Sequence, residues 1–108
     1  MKYVNVPTFI AQIYVGGSLS AALRICREFC DENSECVTVE PVSYVYVGGS
    51  TDGVRVGFIN YGRFPRDDGD IMDQAHKLAL LLIDGLVQES ASIVTTTETI
   101  WMSKREES

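Results

Sequence analysis

The chain is short of positive charge: nine Lys and Arg stand against fifteen Asp and Glu, for a net charge of −6 and a pI near 4.6. A nucleic-acid surface needs clustered Lys and Arg, so no nucleic-acid partner is expected. Long apolar runs are missing too. The longest, Leu78–Ile83, falls far below the roughly 20 residues of a membrane span, and no membrane partner is expected. The first residues hold one Lys and no apolar stretch ending in small residues, so no secretory signal is read and cytoplasmic residence is the expectation. Histidine occurs once, at His76, with no Ser or Cys nucleophile motif beside it, which leaves a hydrolase triad without its parts. The three cysteines are Cys26, Cys30 and Cys36. Cys26 and Cys30 share a helical face, but with His76 they form no zinc spacing. They read as reduced thiols acting as small hydrophobes. Asp67-Asp68-Gly69-Asp70 has neither the register nor the terminal Glu of a calcium loop. No metal and no cofactor is expected.

What is present is ordinary globular material: 45% apolar and 22% charged residues in a chain of 108, the size of one domain spanning 1–108. Burial at this length leaves a thin stability margin, which favours oligomerisation. Residues 3–15 are rich in Tyr, Val, Phe and Ile, with Phe9, Ala11, Ile13 and Val15 alternating onto one face, and predict a strand. Gly16-Gly17 stops it and Ser18 suits an N-cap. Leu19, Ala22, Leu23, Cys26 and Cys30 then recur at helical spacing until the polar turn-formers Asp31–Ser34. Cys36–Val47 predicts a second strand, with Pro41 marking an edge, a bulge or a break. Gly48–Gly53 reads as a turn, and Val54–Tyr61 as a strand closing a hairpin. After a loop over 62–69, Asp70 is the expected cap of a helix whose Ile71, Ala75, Leu78, Ala79, Leu82 and Leu86 form an apolar stripe. Ser92–Met102 reads as one last strand, and 103–108 as a solvated tail. The order β-α-β-β-α-β predicts an α+β fold, a four-stranded sheet with both helices on one face.

Three segments carry a resemblance. Pro7-Thr8-Phe9-Ile10-Ala11 is similar to the start of 5-carboxymethyl-2-hydroxymuconate isomerases. Val47-Gly48-Gly49-Ser50-Thr51-Asp52 resembles the turn before the third strand of macrophage migration inhibitory factor homologues. Asn60-Tyr61-Gly62, followed by a Gly/Arg loop, a long helix and a closing strand with Glu98, matches the same rhythm. The chain thus resembles the tautomerase superfamily, the alternative being a ferredoxin-like fold, which satisfies the same element order. The resemblance implies a trimer with sites near subunit boundaries and keto–enol proton transfer on a small enol or dienol carboxylic acid. Pro7 would then be the catalytic base, and arginines would hold the substrate carboxylate. Six residues precede Pro7 here, and an internal proline nitrogen is a tertiary amide with no basic lone pair.

The remaining candidates follow from residue type and place. Arg63 and Arg66 flank Phe64-Pro65 and suit a small anionic ligand. Asn60 and Tyr61 end a strand where superfamily pockets are lined. Two readings stand beside the tautomerase: a catalytically inactive oligomeric binding or structural protein of the same fold, and a ferredoxin-like interaction domain.

Overall fold

The computed structural model describes residues 1–105; of the tail expected at 103–108, residues 106–108 lie outside the described residues. Seven elements follow the chain: β1 (Ile10–Gly16), α1 (Leu19–Asn33), β2 (Thr38–Tyr46), β3 (Gly49–Ile59), α2 (Asp68–Gly85), β4 (Ser90–Thr95) and β5 (Thr99–Ser103). One antiparallel sheet has the order β2-β3-β1-β4-β5. The α+β class and the order of the first six elements agree with the sequence reading, although the first strand starts at Ile10 and residues 3–9 of the expected strand lie outside it. The four-stranded tautomerase arrangement does not: the sheet has five strands, and β3 lies between β1 and β2. Each β-α-β unit is therefore split by a strand of the other, the arrangement of the ferredoxin-like alternative, with β5 added at one edge.

The fifth strand arises where one strand was expected. In Thr95-Thr96-Thr97, the Thr95 hydroxyl accepts from the backbone N–H of Thr97 (3.3 Å) and Glu98 (3.2 Å), and Thr95 N–H donates to Glu98 O at 2.9 Å. Such side-chain-to-backbone bonds compete with the ladder and turn the chain. Ser92–Met102 is accordingly a hairpin, Ser92 opposite Trp101.

The β2–β3 hairpin is tighter than expected. Its turn is only Val47-Gly48, and Gly49–Gly53 belong to β3. Pro41 sits within β2, at the sheet edge, where its missing N–H leaves no inner ladder bond unmade.

Side-chain alternation puts Ala11, Ile13 and Val15 of β1, Val54, Val56 and Phe58 of β3, and Ala91 and Ile93 of β4 on one face, all buried. Ala22, Cys26 and Phe29 of α1 and Ile71, Ala75, Leu78, Ala79 and Leu82 of α2 close over them. Phe29 meets Phe58 edge-on, with ring centroids 6.5 Å apart. Ser18 caps α1 as expected, accepting from Ala21 N–H at 3.4 Å. The cap of α2 is Asp67, whose carboxylate accepts from Asp70 N–H at 2.9 Å; Asp70 itself lies in the first turn. Acidic residues there are favoured by the helix dipole. The opposite face of the sheet carries Gln12, Tyr14, Arg55, Glu40 and Trp101 and has no helix over it among the described residues. No described helix is long and apolar enough to cross a membrane.

Candidate functional site

The two ends of the sheet differ in what their polar groups are doing. At the end where β1 begins and β3 finishes, the structure gathers Pro7, Asn60, Tyr61 and Arg66, four of the five residues singled out in the sequence. Asn60 Nδ2 donates to Pro7 O at 2.8 Å, its Oδ1 accepts from Arg66 N–H at 2.9 Å, and its own N–H reaches Phe9 O at 3.2 Å. Arg66 forms an ion pair with Glu35, whose side chain is only 2% exposed. Tyr61 accepts from the Cys36 thiol at 3.4 Å and leans on Phe64, ring centroids 5.3 Å apart. The bond to Cys36, and then partial burial, push the Tyr61 hydroxyl up to about 12. Arg63 stands apart, in a shallow depression with Lys2, Val4 and Gly62.

This end is a clasp. Asn60 is committed on three sides to the chain's own backbone, and one nitrogen of the Arg66 guanidinium to the Glu35 carboxylate. Pro7 is internal and exposed, and its carbonyl, not its nitrogen, makes the contact. Glu35 was not legible in the sequence: it ends no motif, and only the left-handed Ser34 (φ 54) after α1 turns it inward.

The opposite end holds unspent polarity. A cavity of about 750 Å3 opens between the start of α1 (Gly17–Ser20) and the base of the β2–β3 hairpin (Pro41–Ser43, Asp52 and Gly53). Its volume lies in the range of small-molecule sites. Ser43 and Asp52 are paired across the ladder and alternate with Val54, so both project to the helix side of the sheet. The Asp52 carbonyl accepts from Gly17 N–H at 3.0 Å, which fixes the strand against the loop. Neither the Asp52 carboxylate nor the Ser43 hydroxyl has a hydrogen-bond partner among the described residues. Ser18 and Ser20 bond each other at 2.9 Å, and Leu19 and Pro41 supply apolar wall.

Two glycines shape this mouth. Gly17 has φ 128, a conformation L side chains rarely adopt, and a Cβ there would also meet Leu86 Cβ at 3.0 Å. At Gly53 a Cβ would lie 2.6 Å from Val15 O and run into the Tyr44 ring. Tyr44 lies across that glycine and donates to Val54 O at 2.9 Å. The sequence signal was present: Gly-Gly-Ser before a helix, and Ser-Thr-Asp-Gly in a hairpin. Each segment was read as punctuation because periodicity cannot place two distant turns face to face.

A third cavity, about 400 Å3, runs between α1 and β2 and is lined by Leu23, Cys26, Cys30, Val37 and Val39, with Arg27 and Asp31. Burial, and then the neighbouring Cys30, push the Cys26 thiol up to about 12; burial also raises Cys30. These thiols are neutral at physiological pH and poor nucleophiles. The sequence reading of Cys26 as a small hydrophobe agrees with its place in the core.

No family model and no curated protein matches the chain. Among solved structures it is similar to a phage SAM lyase in its apo state, with a TM-score of 0.81 at 14% identity over 100% of this chain and 98% of that one. It is also similar to a phage SAM lyase in complex with S-methyl-5'-thioadenosine, with a TM-score of 0.73 at 14% identity over 98% of each chain. These matches overturn the tautomerase-superfamily resemblance and the isomerase reading that came with it. The segments that carried it are strand β1, the β2–β3 turn and the end of β3, which a split β-α-β sheet uses equally. At this identity the likeness is one of fold.

Proposed function

We propose that the chain is a lyase that cleaves a sulfonium nucleoside of the SAM type, with the substrate held in the cavity between Gly17–Ser20 and Asp52. The observation that carries this reading is the whole-length likeness to a SAM lyase at a TM-score of 0.81. Its companion holds S-methyl-5'-thioadenosine, the thioether expected when a sulfonium loses its amino-acid carbon chain. In that cleavage the C–S bonding pair goes to sulfur. The leaving group is then a neutral thioether and needs no proton donor. The carbon that loses sulfur takes a new bond from its own fragment's carboxylate oxygen, closing a lactone as the C–S bond breaks, so no water is consumed.

The cavity suits such chemistry. Its lining has hydroxyls, one carboxylate and apolar wall, and neither Lys, His nor Cys. The work left to the protein is to bind, to orient and to exclude water. The test is to incubate the full chain with SAM in 18O-labelled water and separate the products chromatographically. Release of S-methyl-5'-thioadenosine above the protein-free rate, with no label on the carbon that carried sulfur, is expected. No release, or label on the carbon that carried sulfur, would overturn the reading. Ser43→Trp, which fills the cavity from an exposed part of β2, is expected to abolish release.

We further infer that copies of the chain assemble as a homo-oligomer through the sheet face that no described helix covers. Trp101 is 57% exposed on that face. Arg55 and Glu40 pair across it at 2.8 and 3.3 Å. Light scattering after gel filtration is expected to give a whole multiple, two or more, of the chain mass of 11.9 kDa; a monomer at micromolar concentration refutes the assembly.

A further inference from the structure

We propose that the Asp52 carboxylate is the specificity-determining group of the cavity, gripping the vicinal hydroxyls of a ribonucleoside. This rests on the lyase reading for the identity of the ligand, but its geometry is independent of turnover. Asp52 is fixed twice, by its ladder position opposite Ser43 and by the bond from Gly17 N–H to its carbonyl. Its backbone therefore holds a defined position on a strand rather than on a mobile loop, and its exposed side chain reaches the cavity from there. Its oxygens have no partner among the described residues, and an ionised carboxylate is an acceptor only. The residue is exposed, so a ligand entering the cavity must offer donors in place of water.

A ribose supplies two adjacent O–H donors at the spacing of the two carboxylate oxygens. Acidic side chains bind ribose hydroxyls in this way in other nucleoside-binding folds, and the bonds are charge-assisted. The Ser43 hydroxyl lies beside the carboxylate and can both donate and accept. The flat, largely apolar base finds Leu19 and Pro41 as wall. A carboxylate at this place also suits a substrate whose sulfur is positively charged.

The experiment is calorimetric titration of the full chain with S-methyl-5'-thioadenosine and with its 2'-deoxy counterpart, for wild type and Asp52→Asn. Hydrogen bonds to a charged group predict that wild type binds the deoxy compound roughly 10- to 100-fold more weakly. In Asp52→Asn the two compounds are expected to bind within about twofold of each other. An equal deoxy penalty in both proteins overturns the assignment, even where SAM is cleaved. A penalty present in wild type and absent in Asp52→Asn upholds it, even where no SAM is cleaved and the lyase reading falls. Should Asp52→Asn fail to fold, backbone NMR of wild type decides. Shifts on adding S-methyl-5'-thioadenosine centred on Gly17–Ser20 and Asp52 support the site. Shifts centred on Asn60–Arg66, or none, overturn it.

Discussion

Arg66→Ala is expected to cost far more stability than Glu35→Ala, although each removes the same ion pair. The difference lies in what is left behind. Without Arg66, the Glu35 carboxylate stays where its side chain is 2% exposed, with no cation beside it. Stranding one partner of a buried pair costs about 3–5 kcal/mol. Without Glu35, the Arg66 guanidinium is still 25% exposed on a long stem, and can turn to water. Only the net value of charged hydrogen bonds is then lost, about 1–2 kcal/mol. A chain of 108 residues has about 5–15 kcal/mol of stability in all, so the first change removes a large share. The assay is urea unfolding at pH 7, followed by circular dichroism. With a slope of about 1–3 kcal/mol per molar urea, the Arg66→Ala midpoint should fall by about 2 M and that of Glu35→Ala by about half as much or less. The double variant should lie nearer Glu35→Ala than the sum of the two. Equal midpoints, or both changes costing less than about 1 kcal/mol, would refute the reading of this end as a structural clasp.

Other outcomes follow from the same geometry. Gly53→Ala should destabilise by about 1–3 kcal/mol, as overpacking does, and Tyr44→Ala should not rescue it, because Val15 O still lies 2.6 Å from the new Cβ; thermal melts of the three proteins decide. Asn60→Ala removes the side-chain bonds to Pro7 O and Arg66 N–H, and hydrogen exchange should show the Arg66 amide losing protection while the β3 amides keep theirs. The Cys26 thiol ionises at 9.0 in the unfolded chain and only near 12 when folded. The stability it contributes is thus whole below pH 9 and lost as pH climbs toward 12, by about 1.4 kcal/mol per unit for one proton. Wild type should show that alkaline loss and Cys26→Ala a smaller one. Iodoacetamide at pH 8 should leave Cys26 unmodified in the folded chain while exposed Cys36 reacts; equal labelling of both would contradict the burial.

The element order was legible because local signals agreed with one another. Ser18 capped what the Leu19–Cys30 stripe required, and the Ile71–Leu86 stripe had no strand-like reading. Sheet pairing was not legible. Strand β3 enters between β1 and β2 because Val54, Val56 and Phe58 complete the core layer begun by Ala11, Ile13 and Val15. That fit depends on side-chain volumes across the sheet, which alternation does not report. The fifth strand was missed for a smaller reason: Thr95, Thr96 and Thr97 suit a strand by propensity, and three local hydrogen bonds made them a turn instead. At the site, residue type did not report which groups are engaged. Arg66, Asn60 and Tyr61 near one loop suggest binding, and in the folded chain they bond to Glu35, the backbone and Cys36, while Arg63 stands apart. Serines, an aspartate and glycines suggest turns, and they line the open cavity. What separates the two ends is hydrogen-bond satisfaction, a property of the folded chain.

The same distinction bears on Pro7. If its part is to present a carbonyl to Asn60, then chains beginning at Pro7 and at Thr8 differ in one bond, the 2.8 Å contact from Asn60 Nδ2. Both keep the bond from Asn60 N–H to Phe9 O, so β1 and β3 remain joined at this end. The chain beginning at Thr8 should be less stable than that beginning at Pro7 by about 0.5–1.5 kcal/mol, the net value of a single hydrogen bond. Asn60→Ala should erase the difference, because the donor is then gone from both. Affinity for S-methyl-5'-thioadenosine should be the same in the two chains, since the cavity lies at the far end of β3, beyond Gly53. Urea midpoints and the same calorimetric titration measure these quantities side by side. A loss of nucleoside affinity on removing Pro7, with stability unchanged, would reverse the assignment of the two ends and make the Asn60 cluster the binding site.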